Sequence, residues 1–273
     1  MNLERAPRHR HSPRVRRLAS QAGLSLAAVV GTGPSGRVTP RDVLAVASAG
    51  GSVAGSAPMP APATSVVEVD LTAVVALRER TAGGQTGRPG TRLTLLAFVA
   101  KAVVEALRAN PLLNASTTTD GETVARHASQ HLGLAVDTTE GRVVPVVWEA
   151  GDLTLPALCR RIDDVVAAAH AGSLTPDQLT GGTFTLTDSG RRGVLWDTPI
   201  PVPGQVGILS TGTVVERPMV VRLPDGERGI AIRSVAHFAL TYDQRAVDGV
   251  DAARFLSTVK DRLEAGRFQD DVV

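Results

Sequence analysis

Aromatic residues make up only 3% of this 273-residue chain, against 43% hydrophobic residues in all. Its core must therefore rest on Val, Leu, Ile and Ala rather than on stacked rings. Cysteine is nearly absent as well. The single thiol, Cys159, excludes an intrachain disulfide and fits a reducing compartment. It lies in ALCRRIDDVVAAA, a helix-like run, where a packed core thiol is expected rather than a nucleophile. No apolar run approaches the ~20 residues of a membrane span, so no membrane association is expected. The N-terminal MNLERAPRHRHSPRVRR lacks the apolar stretch of a secretory signal, which together with the lone thiol points to a cytoplasmic protein. There is no zinc-ligand spacing and no basic–aromatic interleaving, so neither a metal site nor nucleic-acid binding is expected.

What charge there is lies unevenly. Residues 1–50 carry eight Arg and two acids, whereas the rest of the chain carries an acidic excess. The basic part has its own task, and a protein partner with an acidic surface suits it. Between the two parts, SAGGSVAGSAPMPAPAT offers no periodic apolar face and reads as a semi-extended linker. The expected organisation is a disordered basic tail at 1–11, a small module at 12–47, a linker at 48–64 and a large domain at 65–273.

In the small module, Ser12 caps a helix that opens on Pro13, with Val15, Leu18 and Ala19 as its apolar stripe. Thr39 caps a second helix that opens on Pro40. Asp42 stands three residues after the cap, near the positive helix end. Val43, Leu44 and Ala47 form that helix's expected apolar face. Between them, GTGPSG (31–36) matches the G-x-G-x-x-G string of dinucleotide sites. Such a site needs a strand before the glycines and a βαβ unit around them. Here a short helix precedes and a linker follows, so the glycines are expected to serve a tight connection.

The large domain alternates. Helix-like segments are Leu71–Arg80, 94–110, 155–172 and DAARFLSTVKDRLEAG. Strand-like segments are 131–137, 143–150, 184–188, 206–212 and 230–243. Hairpin spacing and a long final strand predict an α/β fold, a mixed sheet with helices on one face. The polar corner TYDQRAVDG (241–249) joins the last strand to the last helix, a place where side chains are held for chemistry.

Read together, these stretches resemble a known family. SPRVRRLA and GTGPSGRVTPRDV are similar to a peripheral subunit-binding domain. NPLLNAS, GLAVDTTEGRVVPVV, GGTFTLTDSG, the TPI segment and TYDQRAVDGVDAARFL resemble the catalytic domain of dihydrolipoyl acyltransferases. These are the core subunits of 2-oxo acid dehydrogenase complexes, and they share a fold with chloramphenicol acetyltransferase. The resemblance implies a chloramphenicol acetyltransferase-like sheet and a homotrimer with active sites at subunit interfaces. It implies acyl-CoA or CoA as substrate and a thiol or hydroxyl acceptor. It also implies a His-x-x-x-Asp-Gly motif, whose His acts as general base, and a neighbouring subunit's hydroxyl that donates to the oxyanion. Carried onto this chain, Thr187 takes the hydroxyl position and Asp248 and Gly249 the Asp-Gly position, with Asp243 and Arg245 in the same motif. Gln244 falls where the His should be. Arg14, Arg16, Arg17, Arg37 and Arg41 form the expected partner-binding surface of the small module.

Gln244 departs from the family at the mechanism. A general base is worth about 10²–10⁴ in rate, roughly 3–5 kcal/mol. Gln orients a nucleophile by hydrogen bonding but cannot hold its proton. None of the other histidines is expected to substitute. His237 lies seven residues earlier on the other face of its strand, His127 and His131 flank a strand start, and His170 ends a helix. The sequence also reads as having no lipoyl group in cis, no basic helix ahead of the large domain and no Leu-rich cage-forming tail. A trimer without a cage is expected. Two readings stand: a stand-alone acyltransferase, with natural-product biosynthesis as one setting, or a non-catalytic docking protein that binds dihydrolipoyl dehydrogenase or another partner.

Overall fold

The computed structural model of the chain describes residues 12–21, 26, 29–48, 62–82, 93–118, 124–268 and 271. The expected disordered tail, 1–11, and most of the expected linker, 49–61, lie outside the described residues.

The small module is built from α1 (Pro13–Gln21) and α2 (Pro40–Ser48). The Ser12 hydroxyl accepts from the Val15 N–H at 3.3 Å, so the first helix starts where the sequence signals it. At the second, Thr39 and Asp42 bond reciprocally: Asp42 N donates to Thr39 Oγ1 (3.3 Å), and Thr39 N donates to the Asp42 carboxylate (2.7 Å). The same carboxylate accepts from the Thr32 amide and hydroxyl, tying the connecting loop to the helix start. Burial alone would raise the Asp42 pKa, but the Thr32 and Thr39 donors outweigh it and hold the carboxyl down at about 2. The loop glycines serve close packing. A Cβ on Gly31 would lie 2.3 Å from the Gly36 carbonyl oxygen, and one on Gly33 2.7 Å from that of Arg37. The loop folds closely onto itself, as a tight connection between the helices requires. Val15, Ala19, Val29, Val38 and Val43 form the module's core, with Leu18, Leu26 and Val46 packed against it. The second helix thus turns Val43 and Val46 inward, and Leu44 stays outside that cluster, unlike the expected face.

The large domain has the order β1 (Ala63–Asp70), α3 (Thr72–Ala82), α4 (Leu95–Ala109), β2 (Ala115–Thr117), β3 (Val124–Arg126), β4 (Leu132–Thr138), β5 (Gly141–Val143), β6 (Val146–Val147), α5 (Leu155–His170), β7 (Phe184–Asp188), β8 (Gly207–Thr211), β9 (Val215–Arg222), β10 (Arg228–Tyr242) and α6 (Gly249–Ala265). The main sheet runs β1-β10-β8-β7-β4-β5, with β6 paired to β4 and β9 to β10, while β2 and β3 form a separate ribbon. The pairs β4–β7 and β7–β8 are parallel and the others antiparallel, so the sheet is mixed.

Period-two alternation decides which face meets the helices. Along β10, Ala236, Phe238, Leu240 and Tyr242 join one core with Phe98 of α4, Leu158 of α5 and Phe255 of α6. Each fully buried Phe or Leu contributes about 1.5–3 kcal/mol of transfer free energy. Helices therefore cover this face, as the sequence predicts.

Three local expectations need correction. Residues 63–70 pair along their whole length with β10, from Ala63↔Tyr242 to Asp70↔Val235, so the first strand takes in two residues assigned to the linker. VERPMVVR, left without an element, is β9 and pairs with the first half of β10. It is half exposed and contains Pro218, so its sequence carries little apolar signal. The single strand expected at 143–150 is broken at Val144–Pro145, because proline has no N–H to give the ladder.

Candidate functional site

The corner 241–249 is held from inside. β10 ends at Tyr242, and the Asp243 N–H then donates to the Val206 carbonyl (2.8 Å). The Asp243 side chain is fully buried. Its carboxylate accepts from Arg245 Nη2 at 2.6 Å, from Nε at 3.0 Å and from the Arg245 backbone N–H at 3.0 Å. Burial pushes the Asp243 carboxyl upward, but the Arg245 hydrogen bonds and charge override this and keep its pKa below the ordinary value. Asp248 caps α6, its Oδ1 accepting from the Val250 and Asp251 N–H groups at 2.8 Å each, and Gly249 opens the helix. Both acids of the corner are thus committed to its architecture. Gln244 stands exposed at its crest, and no hydrogen bond among the described residues engages its amide.

Thr187 lies elsewhere. It sits on β7, buried, level with Ala135 of β4 and Ser210 of β8. Leu186 faces the helices, so alternation turns Thr187 to the opposite face. Beside it runs a file of hydroxyls: Ser210 Oγ donates to Ser189 Oγ (3.2 Å), and Ser189 Oγ donates to Asp197 Oδ2 (2.6 Å). Ser210 is in register with Ala239 of β10, five residues before Gln244. At ~3.4 Å per residue, Thr187 and Gln244 are offset by about 17 Å along the strands. One chain therefore does not bring them together; they mark opposite ends of the sheet. A cavity of about 300 Å³ lies at Thr187's end on the helix face, between Leu96, Phe238, Asp188, Arg191 and Thr213.

The other sequence candidates fall as follows. Arg14, Arg16, Arg17 and Arg37 are exposed on the small module. Arg41 is exposed as well and pairs with Glu140, on the turn between β4 and β5, at 2.5 Å. Cys159 is buried in α5, and burial pushes its thiol pKa up, which suits packing and not nucleophilic attack. His237 Nε2 stands 3.7 Å from a Glu68 carboxylate oxygen on β1. The pairing of Ser116 Oγ with His127 Nε2 at 2.6 Å has no sequence signature, because Ser116 sits on the short β2 and His127 just past the short β3.

Comparison with known proteins places this geometry. The model of the family described as "2-oxoacid dehydrogenases acyltransferase (catalytic domain)" matches residues 53–268, and that of the "e3 binding domain" matches residues 10–44. The chain is 41% identical to the dihydrolipoyllysine-residue acetyltransferase component of the Mycobacterium bovis pyruvate dehydrogenase complex, over 96% of this chain and 56% of that protein. It spans about half the length of such curated relatives. Among solved structures it is similar to the dihydrolipoamide acetyltransferase of Azotobacter vinelandii, with a TM-score of 0.69 and 28% identity over 79% of this chain and 85% of that one. That enzyme's catalytic mechanism was investigated through a serine, a histidine and an asparagine, the last two four positions apart. The cubic core of a pyruvate dehydrogenase multienzyme complex matches equally well, with a TM-score of 0.69, 28% identity and the same coverage.

Proposed function

Since the chain belongs to the 2-oxoacid dehydrogenase acyltransferase family, we propose that it moves an acyl group between coenzyme A and a thiol or hydroxyl acceptor. The observation that carries this reading is the preserved corner: Asp243–Arg245 and the Asp248 cap hold position 244 at the tip of a strand-to-helix turn. Gln244 and Asp248 stand four apart, as do the histidine and asparagine of the Azotobacter enzyme. In this reading Gln244 orients the acceptor, and Thr187 of a neighbouring copy donates to the developing oxyanion. The separation of the two groups within one chain supports an interfacial site, and with it a homotrimer. An exposed apolar ladder on the hairpin of β9 and β10, Val220 opposite Ile230 and Pro218 opposite Ile232, supports assembly.

With an amide at 244, a thiol acceptor is favoured. A thiol of pKa ~8.5 is a few per cent thiolate at neutral pH and suffers less from a missing base than an alcohol does. A hydroxyl acceptor, as in natural-product biosynthesis, needs a proton acceptor from elsewhere. The small module supports a second role beside catalysis, docking a partner such as dihydrolipoyl dehydrogenase through Arg14, Arg16, Arg17 and Arg37. A cytoplasmic setting, with its acyl-CoA pool and reducing conditions, fits a chain whose single cysteine, Cys159, is a thiol outside any disulfide.

The test is consumption of acetyl-CoA by the full chain with a dithiol acceptor, beside calorimetric binding of CoA. Turnover that drops on Thr187→Ala supports the reading. Absence of both turnover and CoA binding removes it.

A further inference from the structure

Ser116 and His127 form a nucleophile–base pair that the mechanism above does not use. Ser116 lies on β2, and His127 directly follows β3, its N–H donating to the Asn114 carbonyl at 2.8 Å. Ala115 and Arg126 are cross-strand partners, so His127 stands opposite Asn114 and on the same face as Ser116. The side chains meet with Ser116 Oγ 2.6 Å from His127 Nε2. Both residues are half-buried and so reachable.

The pair is rigidly seated. Asn114, 1% exposed, donates through Nδ2 to the carbonyls of His127 and Ser129, each at 2.9 Å. Its Oδ1 accepts from the buried Thr183 hydroxyl at 2.7 Å. Both chain segments that carry the pair are therefore fixed to the start of β7.

Its position also matters. The Asp243 N–H donates to the Val206 carbonyl, and the Val206 N–H donates to that of Ala115 (3.3 Å). Ser116 is bridged antiparallel to Gln205, with Thr117 N donating to the Gly204 carbonyl at 3.0 Å. The segment 204–206 is thus the one chain between Ser116 and the corner that carries Gln244. Two spacings of ~4.8 Å put Ser116 about 10 Å from that corner. The Ser–His pair stands at the end of the sheet where a proton acceptor is missing.

We propose that Ser116 is an acyl-accepting nucleophile and His127 its general base, making the transfer a double displacement through a covalent acyl-enzyme; this rests on the acyl-transfer reading above. Ser116 Oγ attacks the thioester carbonyl carbon while Nε2 takes the hydroxyl proton. Collapse of the tetrahedral adduct breaks the C–S bond, and CoA leaves as the thiol with the proton from Nε2. The product is an ester on Ser116, with no change of oxidation state. The acceptor thiol or hydroxyl then gives its proton to Nε2 and attacks the ester carbonyl. Ser116 departs and takes that proton. The base absent at position 244 is thereby supplied two strands away, and hydroxyl acceptors become accessible. His127 is suited to accept a proton at neutral pH, since burial, and then the nearby His131, lower its pKa.

The experiment is isotope exchange between labelled free CoA and acetyl-CoA, run on the full chain with no other acceptor. Peptide mapping of acid-quenched protein then looks for an ester on Ser116. Exchange is expected in the wild type, falling at least ~100-fold in Ser116→Ala and His127→Gln, with thermal midpoints unchanged. His127→Gln keeps a hydrogen-bonding partner for Ser116 but cannot hold the proton, so a purely structural role predicts little loss there. Turnover with a dithiol acceptor but no exchange, or with both variants at wild-type rate, overturns the proposal and leaves direct transfer standing. No acetyl-CoA consumption under any condition overturns both.

Discussion

Asp243 and Arg245 are locked together two residues apart, the carboxylate fully buried and bound by both Nε and Nη2 of the guanidinium. This clamp turns the end of β10 toward α6 and fixes where residue 244 projects. Arg245→Ala leaves a buried carboxylate without its main partner, and the expected cost is about 3–5 kcal/mol. Denaturant unfolding of the two proteins measures it. Because the Asp243 pKa is depressed in the fold, its contribution is present above the ordinary carboxylate range. It is lost as pH falls through and below that range.

Restoring an imaginable base at the corner is a separate test. If transfer is direct, Gln244→His is expected to raise kcat/KM for acetyl transfer by about 10²-fold or more, with little change in KM for acetyl-CoA; if His127 already supplies the base, little gain is expected. Steady-state kinetics with dithiol and alcohol acceptors check it, and the gain is expected to be larger for the alcohol.

Thr187→Ala is expected to lower kcat by about 10²–10³, the usual loss for one oxyanion donor. Mixing this variant with Ser116→Ala adds a readout on assembly. If sites are shared between copies, mixed oligomers recover activity that neither variant has alone.

In the small module, Asp42 accepts from Thr32 and Thr39 and is held at about 2. The folded pKa is the depressed one, so the stabilisation is complete above the unfolded value of ~3.9 and disappears as pH falls toward about 2. Asp42→Ala is expected to cost about 1–2 kcal/mol at neutral pH, as for a lost helix cap. Circular dichroism melts of the full chain at neutral and acid pH, followed on the module's transition, decide this.

The ladder of Val220, Ile230 and Ile232 is 69%, 80% and 70% exposed. If the proposed trimer forms through this ladder, Ile230→Lys is expected to lower the mass seen in light scattering to that of a monomer. If the small module docks dihydrolipoyl dehydrogenase as proposed, Arg17→Glu, on the exposed arginine surface, is expected to weaken that binding at least ~10-fold without changing the mass of the protein alone.

Helices were legible wherever caps and a 3.6-residue stripe coincide. Thr94 accepts from Ala97 N at the start of α4, where the sequence signals a start, whereas α6 begins at Gly249, two residues before the expected run, with Asp248 as its cap. Strands that are dry on both faces were legible too, as in FTLTD, which is β7. The strand β9 was not, because Glu216, Arg217 and Pro218 run together before Met219, Val220 and Val221, so its alternating exposure has no matching apolar alternation. The same limit hid β1, whose pairing partner lies more than 160 residues away in the chain.

By itself the sequence determined the two-part organisation, the helix starts, the mixed sheet and the corner at 241–249. Those follow from local chemistry: caps, periodicity and the residues that a turn requires. Only the tertiary structure decided that Asp243 and Asp248 are spent on architecture while Gln244 stays open. It alone set Thr187 at the far end of the sheet and brought Ser116 to His127. Such relationships depend on strand register, across the sheet for Thr187 and within the β2–β3 ribbon for Ser116 and His127, and on how the corner packs, and no local preference encodes them.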